Sequence, residues 1–322
     1  MNKIKLSQKN TYLTLTIIFF ITTIILAMII LTENKTSQEE YDLLNPHIAN
    51  KEIEDFQKFQ ENAIITYKPL EQKLQEITNK TQGTYSIYFE DLKTGASLEI
   101  NGKEKYTPAS LLKIPTTAAI LKMVEEKKLT MNKTIKITQL DIDMSSGQFL
   151  GVLTEKDIGT DKTIEELLKI SLQKSDNSAN HALFRNLPTE KYIEARLSMG
   201  MPLTTTILKP EGTTKMTPKQ YTNIFRSLYL SSYLRKPYSQ WILRTLTNTI
   251  HNKWIPSGLP KGTTISHKIG FWKEEESYHD CGIIYTQKTN YILCIMSKNT
   301  TEPESIETMK QISKEIYEYI KK

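Results

Sequence analysis

The chain is poor in the residues that build several whole classes of protein. Two cysteines in 322 residues exclude a disulfide framework and a four-cysteine zinc site. Twelve glycines and twelve prolines exclude collagen-like and proline-rich architecture. The five histidines, His47, His181, His251, His267 and His279, stand in no metal-ligand spacing, so neither a metal nor a cofactor is expected. Acid is missing from the first 32 residues, whose only charges are Lys3, Lys5 and Lys9. Those lysines carry half of the net charge of +6, and the +3 left elsewhere is too weak to mark a nucleic-acid partner. What remains, 39% hydrophobic and 24% charged, is ordinary globular composition without internal repeats.

One long uncharged run is present, from Thr11 to Thr32. At about 1.5 Å per residue it is long enough to cross a hydrocarbon core of about 30 Å. Lysines precede it, and Glu33, Glu39, Glu40 and Asp42 follow it. Positive-inside logic predicts a cytoplasmic tail over 1–10, an anchor in the lipid bilayer over 11–32 and an extracytoplasmic remainder, giving a single-pass protein of the cell membrane. A cleaved signal peptide would carry a shorter apolar run and a small-x-small site, whereas Ala27 stands alone among large residues. Residues 33–68 read as a polar stalk with a helical stretch around 53–59, and 69–322 as one domain.

Within that domain Leu70, Leu74 and Ile77 fall at helical spacing. Tyr85, Ile87 and Phe89 alternate with Ser86, Tyr88 and Glu90, and Asp91–Gly95 supplies a turn, which predicts a β-hairpin. Residues 108–129 read as a helix with Pro108 in its first turn. Residues 130–250 are mostly helical. Three strands follow, at 263–272, 278–285 and 291–296. A terminal helix over 302–320 carries a stripe of Ile306, Met309, Ile312 and Ile316. The order predicts an α+β fold: a five-stranded antiparallel sheet flanked by terminal helices, with an all-helical lobe inserted. Cys281 and Cys294 fall opposite each other if Gln287-Lys288 is the turn between the last two strands. Two buried thiols are the expectation, although the compartment would permit a bond.

Ser110-Leu-Leu-Lys113 lies in the predicted helix, where residues three apart share a face and the amine can reach the hydroxyl. A desolvated lysine is a workable base for a weak nucleophile. Alone the spacing says little: about two such pairs are expected by chance, and Ser171-Leu-Gln-Lys174 is another. Order adds the weight. Ser175-Asp176-Asn177 follows at a helix start, and Lys268-Ile269-Gly270 on a strand candidate. With these the chain resembles the penicillin-recognising serine hydrolases, specifically the class A β-lactamase family, whose S-x-x-K, S-D-N and K-T-G motifs feed one cleft. The resemblance covers roughly 69–322. A literal K-T-G at Lys93-Thr94-Gly95 precedes Ser110 and sits in the hairpin turn, so its order and context reject it.

The resemblance implies roles. Ser110 would be the nucleophile and Lys113 its base. Ser175 would shuttle a proton to the leaving nitrogen, and Asn177 would bind Lys113 and the substrate amide. Lys268 would present positive charge to an anionic substrate group. The N–H groups of Ser110 and Phe271 would form the oxyanion hole, and Gly270 would permit close approach beside its strand. Asp176 reads as structural. The pattern departs from the family twice. Residues 199–218 contain no E-x-x-L-N, and Glu211 is their only acid. Ile269 replaces the hydroxyl residue of K-T-G, which would cost a substrate carboxylate about 1–3 kcal/mol. The resemblance therefore implies acyl transfer through Ser110 on a β-lactam or a peptidoglycan stem peptide. A D,D-peptidase-like enzyme with poor β-lactam turnover, a degenerate cell-wall-binding protein and an unrelated esterase or amidase are the alternatives.

Overall fold

The computed structural model describes residues 53–143, 152–202 and 214–321, with side chains from Tyr67 onward. The anchor expected at 11–32, the tail before it and Glu211 lie outside the described residues. Among the described residues no helix is long and apolar enough to cross a membrane.

Helix α1 (Ile53–Lys80) begins inside the segment read as a stalk and runs through Pro69, which removes one hydrogen bond from its ladder. Leu70, Leu74 and Ile77 form its buried stripe. The hairpin follows as β1 (Thr84–Asp91) and β2 (Ser97–Ile100). Its turn is built by Asp91, whose Oδ1 accepts the N–H groups of Lys93 (2.8 Å) and Thr94 (3.1 Å). Gly95 sits at φ +72° there, so the early K-T-G is a turn device. Strands β5 (Ile265–Trp272), β6 (Ser277–Ile284) and β7 (Tyr291–Lys298) lie where the apolar runs predict them. The five strands are antiparallel in the order β2-β1-β7-β6-β5.

Helices cover both faces of this sheet. On one, Tyr85, Ile87, Phe89, Leu293 and Ile295 pack with the stripes of α1 and the terminal helix α9 (Glu302–Lys321). Met309, Ile312 and Ile316 are fully buried there, each worth about 1.5–3 kcal/mol. On the other, Cys281, Ile283, Ile292, Cys294 and Met296 meet the lobe. The polar residues of β1 are thus enclosed as well: Glu90 accepts from Tyr88 Oη and pairs with Arg226.

The lobe comprises α2 (Lys113–Glu125), α3 (Gln139–Asp143), α4 (Ile164–Gln173), α5 (Asn177–Phe184), α6 (Thr189–Ser198), α7 (Pro218–Leu230) and α8 (Lys236–Thr247). A two-stranded ribbon, β3 (Thr134–Lys136) with β4 (Asp161–Thr163), interrupts the helical reading of this stretch. Cys281 and Cys294 are paired as the turn arithmetic requires, with Thr286 Oγ1 donating to Thr289 O across the turn (2.7 Å). They form a disulfide, correcting the expectation of two thiols: in that register their Cα atoms lie only 3.9 Å apart.

Candidate active site

Ser110 lies in a 3-10 turn, Ala109–Leu112, and Lys113 opens α2 behind it. The sequence pattern suggests an α-helix here, but the tighter turn serves the pair better. At three residues per turn, positions i and i+3 eclipse, and Lys113 Nζ donates to Ser110 Oγ at 2.6 Å. The same amine donates to Asn177 Oδ1 at 2.5 Å. Lys113 is buried, and desolvation pushes its ammonium down to about 7 against the opposing pull of Asp176.

Asp176 holds the second segment in place. It caps α5, its Oδ1 accepting Ala179 N–H at 2.7 Å. Its Oδ2 accepts the N–H groups of Val152 (2.5 Å) and Leu153 (3.0 Å), the structural role expected of it. Ser175 before it occupies the left-handed region at φ 56°. Its Oγ accepts from Lys268 Nζ at 2.7 Å, and Lys268 donates also to Ile269 O at 3.2 Å. Lys268 is only 1% exposed; burial, then the nearby Lys113, drive its pKa well below the usual lysine range, with Asp280 opposing. Lys268 thus does not itself line the cleft where a substrate anion is expected. It stands behind Ser175 and reaches the cleft through that hydroxyl.

Gly270 has a definite steric cause. A Cβ there would stand 2.8 Å from Pro108 O and 3.0 Å from Leu111 Cγ. Its bare backbone thus lets β5 lie directly against the turn carrying Ser110, and so brings Phe271 to the same cleft. Ile269 points the other way, 3% exposed, into the core under the terminal helices. Strand alternation puts Ser266, Lys268 and Gly270 on one face and Ile265, His267 and Ile269 on the other. Ile269 is thus not the unfilled donor position the motif suggests. Ile269→Thr is expected to destabilise the fold by roughly 1–3 kcal/mol, since it buries a hydroxyl and removes packing. It should leave the rate of Ser110 acylation within about threefold. Denaturant unfolding and acylation kinetics on the same variant check this, and a tenfold faster acylation would place the side chain in the cleft after all.

The cleft has a volume of about 1110 Å³. Ser110, Lys113, Ser175, Asn177 and Phe271 all line it. Two aromatic pairs lie along it: Phe184 edge-on to Tyr192, and Phe271 against Tyr278, both with ring centroids 5.1 Å apart. Of these four residues the motifs name only Phe271, and that for its backbone N–H; Phe184, Tyr192 and Tyr278 are not legible as part of a site in sequence, because an aromatic at helix or strand spacing reads as core. His267 and His279 are fully buried in the sheet rather than lining the cleft, His267 bonding Asp280 Oδ1 at 2.8 Å. Among the described residues no cluster of three or more His, Cys, Asp or Glu is placed to hold a metal. The second spacing match, Ser171 and Lys174, lies apart from the cleft lining, with Ser171 wholly buried.

A serine hydroxyl bonded to a desolvated lysine, on a five-stranded sheet with an inserted helical lobe, defines a serine acyl-transfer site. The family model described as the beta-lactamase enzyme family matches residues 69–320, and the chain belongs to that family of serine hydrolases. A beta-lactamase of Streptomyces cellulosae is 27% identical over 229 residues, spanning 66% of this chain and 71% of that protein. ROB-1 of Haemophilus influenzae is 26% identical over 248 residues, 74% and 79% of the two chains. Among solved structures, PBP-A superposes with a TM-score of 0.69 at 22% identity, covering 79% of this chain and 96% of its own. The TLA-1 extended-spectrum beta-lactamase gives 0.70 at 19%, covering 79% and 99%. These superpositions establish the shared fold.

Proposed function

We propose that the protein is a membrane-anchored, outward-facing hydrolase that forms an acyl-enzyme on Ser110 with β-lactam or D-amino-acid amide bonds. One observation carries this reading: Lys113, buried and with its pKa lowered to about 7, bridges Ser110 Oγ and Asn177 Oδ1. As Ser110 Oγ attacks the carbonyl carbon, its proton passes to Lys113 Nζ. The charge gathering on the carbonyl oxygen meets the backbone N–H groups of Ser110 and Phe271. Ser175 gives its proton to the leaving nitrogen as the C–N bond breaks and is restored by the proton that Lys113 took from Ser110, while Lys268 holds the Ser175 oxygen with a hydrogen bond of 2.7 Å. Asn177 holds Lys113 and the substrate amide.

Nothing between 199 and 218 supplies the family's E-x-x-L-N, whose Glu activates the water that releases the acyl group. That favours slow deacylation, as in a penicillin-binding enzyme of cell-wall stem peptides. A variant of PBP-A has been solved as an acyl-enzyme with penicillin G, which fits such a reading here. The test uses the full chain in detergent with a fluorescent penicillin. Intact mass should rise by one penicillin and stay there for many minutes. The anchor is tested in cells: the protein should remain with membranes after a high-salt wash, and protease added to spheroplasts should digest the domain. A wash-released protein, or a domain protected until lysis, removes the anchored topology.

A further inference from the structure

The strap that delivers Ser110 runs from Tyr106 to Ala109 and crosses the lobe-facing side of the sheet. Tyr106 is held by a two-way backbone bridge to Met216. Pro108 rests its carbonyl against Gly270, and Ala109 is left-handed at φ 49°, a conformation that costs a non-glycine residue about 1–2 kcal/mol. Such a residue persists only where its surroundings hold it. Thr107 lies between these points, and its carbonyl oxygen is 3.0 Å from Nε2 of His279, a β6 residue that is 1% exposed.

The other ring nitrogen is also in use. Ser297 N–H on β7 donates to His279 Nδ1 at 3.3 Å. A carbonyl only accepts and a backbone N–H only donates, so the two contacts together select the neutral tautomer with its proton on Nε2. An imidazolium would set N–H against N–H at Ser297. Burial holds the ring neutral, lowering its pKa to about 4, while hydrogen bonding to the backbone of Thr107 and Tyr278, and then Glu275 from the β5–β6 turn, act the other way. Tyr106 meets the ring edge-on at 5.6 Å, and the ring's Cδ2 comes within 3.3 Å of where a side chain at Gly270 would begin. One imidazole thus touches β5, β6, β7 and the strap.

We propose that His279 is a positioning residue for the nucleophile, suspending the Ser110 strap from the central sheet through its Nε2–H bond to Thr107. The proposal rests on Ser110 being the group acylated. Acyl transfer is sensitive to placement: a shift of about 1 Å in a reacting group costs on the order of 10²-fold. His279→Phe keeps the ring and the contact with Tyr106 but has no donor. It is expected to slow the acylation step about 10- to 100-fold with the dissociation constant of the penicillin within about threefold of wild type. His279→Gln, whose side-chain N–H can reach Thr107 O, should recover most of that rate. A Phe variant acylated at the wild-type rate, a loss lying wholly in binding, or a Gln variant no better than Phe would each overturn the proposal. Should both variants misfold, ¹⁵N NMR of the wild-type ring decides: a protonated Nε2 that does not titrate above pH 5 supports it, and an Nδ1–H tautomer or an ordinary titration overturns it. If wild type itself takes no acyl group, the hydrolase reading fails and this proposal with it. An acylated wild type beside an unaffected Phe variant refutes the positioning role alone.

Discussion

Ser110→Ala is expected to abolish the covalent penicillin adduct while leaving the fold intact, because the hydroxyl lines the cleft and its one side-chain bond is to a neighbouring amine. Wild type should show a stoichiometric burst followed by a negligible steady state. The two phases separate because attack needs Ser110 and Lys113, both present, whereas release needs an activated water. Stopped-flow fluorescence with intact mass reads both phases. A Ser110→Ala protein that still becomes labelled would remove Ser110 as nucleophile. Wild-type turnover of many per second, stopped by Glu211→Gln, would show that Glu211 activates the water despite the missing motif.

Lys113 should control the pH profile of the first step. A base must be unprotonated, so with its pKa near 7 the acylation rate should fall about tenfold per pH unit below that value and level off above it. Lys113→Ala should cost about 10²–10⁴-fold and flatten the profile. The same depression has a stability sign. Folded Lys113 loses its proton near 7 and the unfolded side chain near 10.5. Between those values the unfolded chain binds the extra proton, so stability rises with pH across that window. Lys113→Met should remove this contribution to the slope. An acylation rate flat from pH 5.5 to 9 in wild type would rule out Lys113 as the base.

Sequence patterning exposes the frame of this molecule and hides the depth at which its polar groups sit. The hairpin and the last three strands are legible because a period-two alternation buries one face only in a strand, and a short apolar run bounded by turns is too brief for a helix. The stripe of Met309, Ile312 and Ile316 is legible because one helical face must be buried. The motif residues come together in space as their order implies. Strand alternation around Lys268-Ile269-Gly270 is equally readable, yet it does not say which face meets the cleft. That depends on β5 being the edge strand that packs on the Ser110 turn, a fact of tertiary assembly. Lys268 being sealed behind Ser175 has the same origin. The disulfide follows from a register the turn does predict, but bonding depends on how closely two strands approach. His279 is invisible at sequence level because its partners, Thr107 and Ser297, are 172 and 18 residues away.

The position of β1 in the sheet bears on how the domain is made. β1 pairs with β2 along one edge and with β7 along the other, and about 200 residues separate its end from the start of β7. At about 5–20 residues per second of synthesis, the free edge of the hairpin waits on the order of 10–40 s for its partner. An open strand edge is a template for wrong pairing throughout that interval. The sheet cannot close, and Thr107 cannot meet β6, until β6 and β7 have emerged. Truncation anywhere before β7 should therefore yield a chain prone to misassembly, and the nucleophile acquires its geometry only after β6 and β7 have been made.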